Sequence, residues 1–349
     1  MQNIKAHSHE KKVIVLLVLG LLLVVVVATA LGAVTVPLNK TVEIILKDLG
    51  VVKFEQAPFS ASQEAIIFFV RFPRVVVAVL VGAALALAGA VMQGMFRNPL
   101  ADPGIIGISS GASLGAVLAI AWGLTAKSLY FMPLLATAGA FMAALVIYGL
   151  SARGGKFSVL TLVLAGIAVS TFIGALTSLT LTFLNEYQVR EYLFWSVGSL
   201  SGRRWEHVRL VALPVLISML MLMLFARDLN VLLLGEEEAQ SVGLNPAKTR
   251  KWLLFFASVT TALAVSVSGH IAFVGLIVPH VMRLLVGPDH RVLLPASALA
   301  GALFLVICDL VARIVVMPLE IEVGIVTSLL GAPYFLFLLY RAKKEGVSL

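Results

Sequence analysis

Apolar runs of membrane length recur along almost the whole chain, parted by short polar turns. In order they fall at about 13–36, 67–95, 104–123, 129–151, 158–184, 207–226, 251–269, 272–286, 292–311 and 324–341. Most reach the roughly 17–25 residues that a helix needs to cross the hydrocarbon core of a bilayer. Alternation at period two over ten-residue segments is absent, which excludes a transmembrane barrel. The pattern predicts an all-α polytopic membrane protein with about ten transmembrane helices, built as a single transmembrane domain over 1–349.

Residues 71–115 carry the densest signal. They begin RFPR, continue through an apolar stretch from Val75 to Met92 that contains Gly82 and Gly89, and turn in a polar hairpin, Asn98-Pro99-Leu100-Ala101-Asp102-Pro103. Gly104, Gly107, Gly111 and Gly115 follow. Small residues on adjacent long apolar helices let backbones approach closely where lipid supplies no hydrophobic drive to association. Gly324 and Gly331-Ala332-Pro333 mark the last span in the same way.

Composition agrees. Of 349 residues, 60% are hydrophobic and 13% charged, and mean hydropathy is +1.04; a soluble domain is nearer half apolar and about a quarter charged. The net charge of +8 would point to nucleic acid in a soluble protein. Here the Lys and Arg of the loops account for it, and no nucleic-acid partner is expected. An even number of spans puts both termini on one side, and Lys5, Lys11, Lys12, Arg341, Lys343 and Lys344 place that side in the cytoplasm. The first run is too long for a signal-peptide core and is read as a retained span. Cys308, the sole cysteine, lies within an apolar run and is read as a buried small residue.

Three loops stand out. Within 37–66, Val42 to Leu49 has the pattern of an amphipathic helix on the membrane surface. Segment 185–206 carries Tyr187, Tyr192, Phe194, Trp195 and Trp205, which suit an interfacial aromatic belt. The longest cytoplasmic loop, 227–250, places Glu236 to Glu238 at the start of a short helix, with Gly243 to cap it and Pro246 to stop it. The apolar run Val231 to Leu234 beside those acids points to a protein partner.

Catalytic chemistry is missing. There is no nucleophile–base constellation, and no two histidines have a spacing that holds a metal on one helix face. GLNPAKT at 243–249 lacks the glycine before the lysine of a P-loop, is one residue short, and does not join a strand to a helix. No metal site, cofactor or enzyme activity is expected. Asp309 and Arg313 share a helix face and are read as a structural pair, with Glu320 and Glu322 just beyond.

Long motifs then carry a resemblance: RFPR at 71–74, GAALALAGAVMQGMFRNPLADPGIIGISSGASLG at 82–115, LVLAGIA at 162–168, GSLSG at 198–202, GEEEAQSVGL at 235–244, IAFVGLIVPHVMRLLVGPDHRVLLP at 271–295 and VGIVTSLLGAPYF at 323–335. From about residue 13 onward the chain resembles the permeases of ABC importers for iron-siderophores, haem and vitamin B12. The resemblance implies a homodimer or close heterodimer of permease subunits in a bacterial inner membrane. Two ATPase subunits would sit on the cytoplasmic face and a substrate-binding protein outside. It assigns binding-protein docking to Arg71, Arg74 and Arg313, which would account for positive charge on the outer face. It assigns the cytoplasmic gate to Asn98, Leu100, Ser158 and Val159, the last a valine where the family has a hydroxyl residue. It assigns ATPase coupling to Gly235, Glu236, Glu237, Glu238, Ala239, Val242, Gly243 and Leu244. Glu322 stands where the family usually has proline.

The fifth run presents Ser170, Thr171, Gly174, Thr177, Ser178 and Thr182 at near-helical spacing, the candidate lining of a pathway between two subunits. The expected activity is ATP-driven import of an iron chelate or a corrinoid by alternating access. The alternative from the residues alone is a secondary transporter coupled to protons through Asp309, Glu320 or Glu322.

Overall fold

The structure, a computed structural model, describes residues 2–48, 50–53, 58–153, 156–157 and 159–345. The helices are α1 (Gln2–Ala30), α2 (Leu38–Asp48), α3 (Ala61–Ala65), α4 (Phe72–Phe96), α5 (Ile108–Ala121), α6 (Leu124–Lys127), α7 (Phe131–Ser151) and α8 (Val159–Thr182). They continue as α9 (Glu186–Val197), α10 (Trp205–Leu224), α11 (Ala226–Leu234), α12 (Glu236–Ser241), α13 (Pro246–Ser268), α14 (Val274–Val286), α15 (His290–Ile314) and α16 (Val323–Glu345). A two-residue antiparallel pair, Ala152–Arg153 with Lys156–Phe157, joins α7 to α8. Among the described residues, α1, α4, α7, α8, α10, α13 and α15 carry stretches long and apolar enough to cross a membrane, and α5, α14 and α16 are shorter apolar helices. Together they make the ten expected.

α4 is the axis. Every residue from Leu80 to Met95 is buried, as befits a helix apolar on all sides. α13, α14, α15 and α10 pack around it, α1 lies against α15, and α5, α7 and α8 form a second group joined to the first through α13. Glycine sets the closest approaches. A Cβ on Gly82 would strike the Gly301 carbonyl of α15, and one on Gly301 would strike Gly82 in return. Gly111 of α5 and Gly139 of α7 meet in the same reciprocal way.

Several ends differ from the apolar pattern, each for a local reason. The first span stops at Ala30, not 36, as the chain turns through Leu31–Val36 toward α2. The second is longer than 67–95. α3, a π-helical stretch over Ile66–Arg71 and α4 run on continuously from Ala61, and Ser60 and Gln63 form a reciprocal capping box at the start. The third begins only at Ile108, because Asp102 caps a turn of 3₁₀ helix over Pro103–Ile106 and Gly107 then takes φ 72°. The amphipathic segment forms as α2, starting four residues before Val42.

Irregular backbone meets in one place. α9 ends at Gly198 (φ 89°), α13 ends at Gly269 (φ 68°), and α16 starts at Val323–Gly324. Ser199 N–H donates to Ser268 O at 2.8 Å, and Gly324 N–H donates to Gly198 O at 3.0 Å. Side chains at Gly198, Gly269 or Gly324 would collide with the backbone of the facing segment. Three chain breaks therefore satisfy one another. α14 itself opens beside α4, for Gly275 lies against Gly89. Non-helical backbone within a membrane protein is tolerated where protein buries it or where it lines a cavity. Both hold here: a cavity of about 270 Å³ is lined by His270, Phe273 and Gly275 from the break and by Asp102, Pro103 and Gly104 from the hairpin after α4.

Candidate functional site

The three arginines expected at the docking surface come together at the far end of α4 from the hairpin, but they point inward. Arg71, Arg74 and Arg313 are only 7%, 8% and 5% exposed. α1 has no basic residue in its last turn, so its final carbonyls lack the donors that a helix C-terminus requires. Arg71 Nη1 supplies Ala30 O at 2.6 Å and Thr29 O at 3.3 Å, and its Nη2 reaches Val34 O. Arg313 supplies Ala28 O at 2.8 Å and Leu31 O at 3.1 Å. Cations there also meet the negative end of the helix dipole.

Asp309 sits between Arg74 and Arg313 and is fully buried. Its Oδ1 accepts from Arg74 Nε at 2.9 Å, and its Oδ2 lies 3.1 Å from Arg313 Nε. The expected Asp309–Arg313 pair is thus present, with Arg74 added. Arg74 Nη1 also donates to the half-exposed Glu320 carboxylate at 2.7 Å. The sequence alone gave no sign of the α1 caps, because the carbonyls served are about 40 and 280 residues away from their donors.

Beside this cluster lies a second group, of which the sequence pointed only to Trp195, Glu322 and the GSLSG segment, and not to Arg203 and His207. Arg203, His207, Ser199, Ser201, Glu191, Glu322 and Trp195 line a cavity of about 390 Å³. Burial, and then the charge of Arg74, push the Arg203 guanidinium down to about 10. Arg203 Nε and Trp195 Nε1 are buried without a hydrogen-bond partner. Trp195 therefore does not join the expected aromatic belt; it packs with Ile108, Ala112 and Ala116 of α5. Tyr187 and Phe194 stay exposed as expected, and Trp205 Nε1 donates to Phe68 O at 2.8 Å. Glu322, where the resemblance leads one to expect proline, faces this cavity.

On α8, Thr171, Ser178 and Thr182 are exposed, Ser170 and Gly174 half-buried, and Thr177 buried at 6%. The six do not form one stripe: Thr177 faces the protein. Leu164, Phe172, Leu179 and Phe183 share the exposed side. Thr171 donates to Ile167 O at 2.9 Å and Thr182 to Ser178 O at 3.0 Å, so these hydroxyls are spent on their own helix. Ser170 Oγ lies 3.2 Å from Ser110 Oγ of α5. The outward face of α8 is accordingly mostly apolar, with Ser178, of the three exposed hydroxyl residues, the one not folded back onto the helix.

At the hairpin after α4, Asn98 Oδ1 accepts from Leu100 N–H at 2.8 Å and Asn98 O from Ala101 N–H at 3.1 Å, a self-bonded turn with Asn98 exposed and Leu100 half-buried. Ser158 lies outside the described residues. Val159 is the first residue of α8.

The 227–250 loop holds two helices. The α11 residue Leu232 is buried and Val231 packs on the main core, so the apolar run mostly serves the fold, and only Leu234 projects. Gly235, at φ 144°, admits a bend between α11 and α12 that other residues rarely adopt. In α12, Glu236, Glu237 and Glu238 are exposed while Ala239 is buried beneath them. Glu236 pairs with Arg250 of α13. Gly243, at φ 86°, caps the helix as expected, and Leu244 N–H donates to Ala239 O at 2.9 Å. Val242 is left 67% exposed, an apolar side chain beside the exposed acids of α12.

Comparison with known proteins places this arrangement. The profile of the FecCD transport family matches residues 19–341. The chain is 48% identical over 278 residues to the cobalamin import system permease protein BtuC of Halobacterium salinarum, covering 80% of this chain and 74% of that one. It is 42% identical to the hemin transport system permease protein HmuU of Yersinia pestis, covering 79% and 83%. It is 43% identical to the Fe(3+) dicitrate transport system permease protein FecD of Escherichia coli, covering 78% and 84%. A solved structure described as an inward-facing conformation of a metal-chelate type ABC transporter superposes with TM-score 0.83 at 34% identity, over 95% of this chain and 99% of that one. The chain is a multi-pass membrane permease and belongs to the FecCD transport family.

Proposed function

We propose that two copies of this chain form the membrane pathway of an ATP-driven importer for a bulky metal chelate, an iron chelate such as a siderophore or haem, or a corrinoid such as vitamin B12. Hydrolysis takes place on two separate ATPase subunits at the cytoplasmic face, in a bacterial inner membrane with both termini inside. The observation that carries the reading is α12: a short acidic helix, fixed through Ala239 and Arg250, that offers Glu237, Glu238 and Val242 to a partner.

The proposed route runs along α8. A face with its threonine hydroxyls folded back offers few hydrogen bonds, so a large ligand passes without being held, and affinity resides in an external binding protein. That protein docks over Arg71, Arg74 and Arg313, with Glu320 as the part of the cluster nearest solvent. Asn98 and Leu100, together with the start of α8 at Ser158 and Val159, close the route on the cytoplasmic side, and alternating access opens its two ends in turn. Named relatives handle cobalamin, haemin and ferric dicitrate, so the ligand is chosen by assay.

Reconstitution in vesicles tests the reading. Uptake of one of cobalamin, haemin or a ferric chelate is expected only with the ATPase, ATP and the binding protein all present. Uptake by this chain alone, driven by a pH gradient without ATP, overturns it.

A further inference from the structure

We propose that Arg97 is the positioning residue that links the ATPase-facing loop to the cytoplasmic gate. The inference rests on the gate and coupling roles proposed above and adds the connection between them.

Arg97 follows the last residue of α4 and holds φ 51°, ψ 32°. Glycine or asparagine ordinarily fills such a left-handed cap, because a Cβ is disfavoured there. Among the described residues only Phe273 shares a positive φ without being glycine. An arginine in this place calls for a reason, and its side chain supplies one. Nε and Nη2 of Arg97 both donate to the carbonyl of Leu232, Nε at 3.2 Å. Leu232 lies in the last turn of α11, where carbonyls have no partner within the helix and the helix dipole attracts a cation.

The two ends of this contact are the two parts that must communicate. On one side, Asn98 comes next in the chain, and the Asn98–Leu100 turn is closed on itself. On the other, Leu232 stands three residues before Gly235, the bend that leads into α12. α11 has a second support opposite: Asn230 Nδ2 donates to Asp289 Oδ1 at 2.7 Å, and Asn230 Oδ1 accepts from His290 N–H at 2.9 Å. Two nearby cations are committed elsewhere, Arg250 to Glu236 and Arg291 to Asp289. α11 is thus a lever, braced on the start of α15 and tied by Arg97 to the gate hairpin. A push on α12 moves Leu232 O and, through it, the turn that carries Asn98 and Leu100.

The test uses the full reconstituted transporter with Ala101→Cys, in the same turn but outside the gate pair, as a reporter, the native Cys308 being buried. The rate of labelling from the cytoplasmic side is read with and without nucleotide, together with substrate moved per ATP hydrolysed. Arg97→Gly is the informative variant: it suits the left-handed backbone and removes only the side chain. With Arg97 present, nucleotide shifts the labelling rate. With Arg97→Gly, labelling becomes independent of nucleotide and substrate per ATP falls about tenfold or more, the scale of a lost charge-assisted hydrogen bond between coupled elements. Arg97→Lys, which can still donate to Leu232 O, restores part of both. Full nucleotide response and full transport per ATP in Arg97→Gly overturn the link. So does equal loss in Arg97→Gly and Arg97→Lys accompanied by a fall in thermal stability, which marks a structural cap only. Absence of any nucleotide response with Arg97 intact overturns the gate and coupling reading itself, and the link with it.

Discussion

Asp309 shows how much one side chain can hold. It is fully buried and neutralises two arginines, one of which also closes the end of α1. Removing one partner of a buried ion pair leaves uncompensated charge and typically costs about 3–5 kcal/mol. Asp309→Asn is therefore expected to lower the melting temperature of the purified permease markedly, as read by fluorescence or by loss of a monodisperse peak. Glu320 makes the contrasting case, since its carboxylate is half-exposed and its tie to Arg74 faces water. Glu320→Gln is expected to leave stability nearly unchanged and to tighten binding-protein docking, because it frees Arg74 Nη1 for a partner's carboxylate. Weaker docking in that variant would instead make Glu320 itself a docking group. Charge reversal at Arg74 cannot separate these roles, because it would set a third carboxylate against Asp309 and Glu320.

Among the elements, the glycines divide by what faces them. At Gly82 a Cβ would enter the backbone of α15 at Gly301, where nothing flexible can give way. Overpacking of that kind costs about 1–3 kcal/mol or more. Gly82→Val is expected to destabilise the α4–α15 pair by at least that much. Gly174 of α8 has open space where its Cβ would be. Gly174→Ala should be neutral or raise stability by about 0.5–1 kcal/mol, since alanine loses less freedom on entering a helix. Thermal melts of the two variants check the contrast; equal effects would mean that α4 and α15 can move apart at little cost. The apolar spacing located both helices, but only the packing shows that one glycine is a contact and the other is not.

For the whole molecule, the outward faces of α8 and α16 remain unpartnered. Leu329, Leu330, Leu336, Phe337 and Tyr340 are exposed along α16, as are Leu164, Phe172 and Leu179 along α8. Lipid could cover such faces, but a pathway between two subunits needs one of them turned to a second copy. A mass equal to two chains is therefore expected for the permease in mild detergent, by light scattering with the detergent contribution subtracted. A single-chain mass in the assembled importer would remove the subunit-interface route.

Much of this protein was legible in one dimension. Ten apolar runs determined an all-helical membrane fold because hydrocarbon forces each backbone to satisfy itself within a span. The acid run closed by Gly243 and Pro246 located α12, since caps and dipole act within a few residues. The small residues of 82–115 located the close-packed helices. Contacts between distant segments were decided only by tertiary structure. The arginines of 71–74 and Arg313 were recognisable as a group, yet their burial against α1 and Asp309 depends on which carbonyls the fold leaves unpaired nearby. The joined breaks at Gly198, Gly269 and Gly324 are likewise invisible in the pattern, because each is an ordinary helix end until Gly198–Ser199 hydrogen-bonds to both of the others. Arg97 belongs to the same class: in sequence it is one more basic loop residue, and only the arrival of the Leu232 carbonyl 135 residues later gives it a partner.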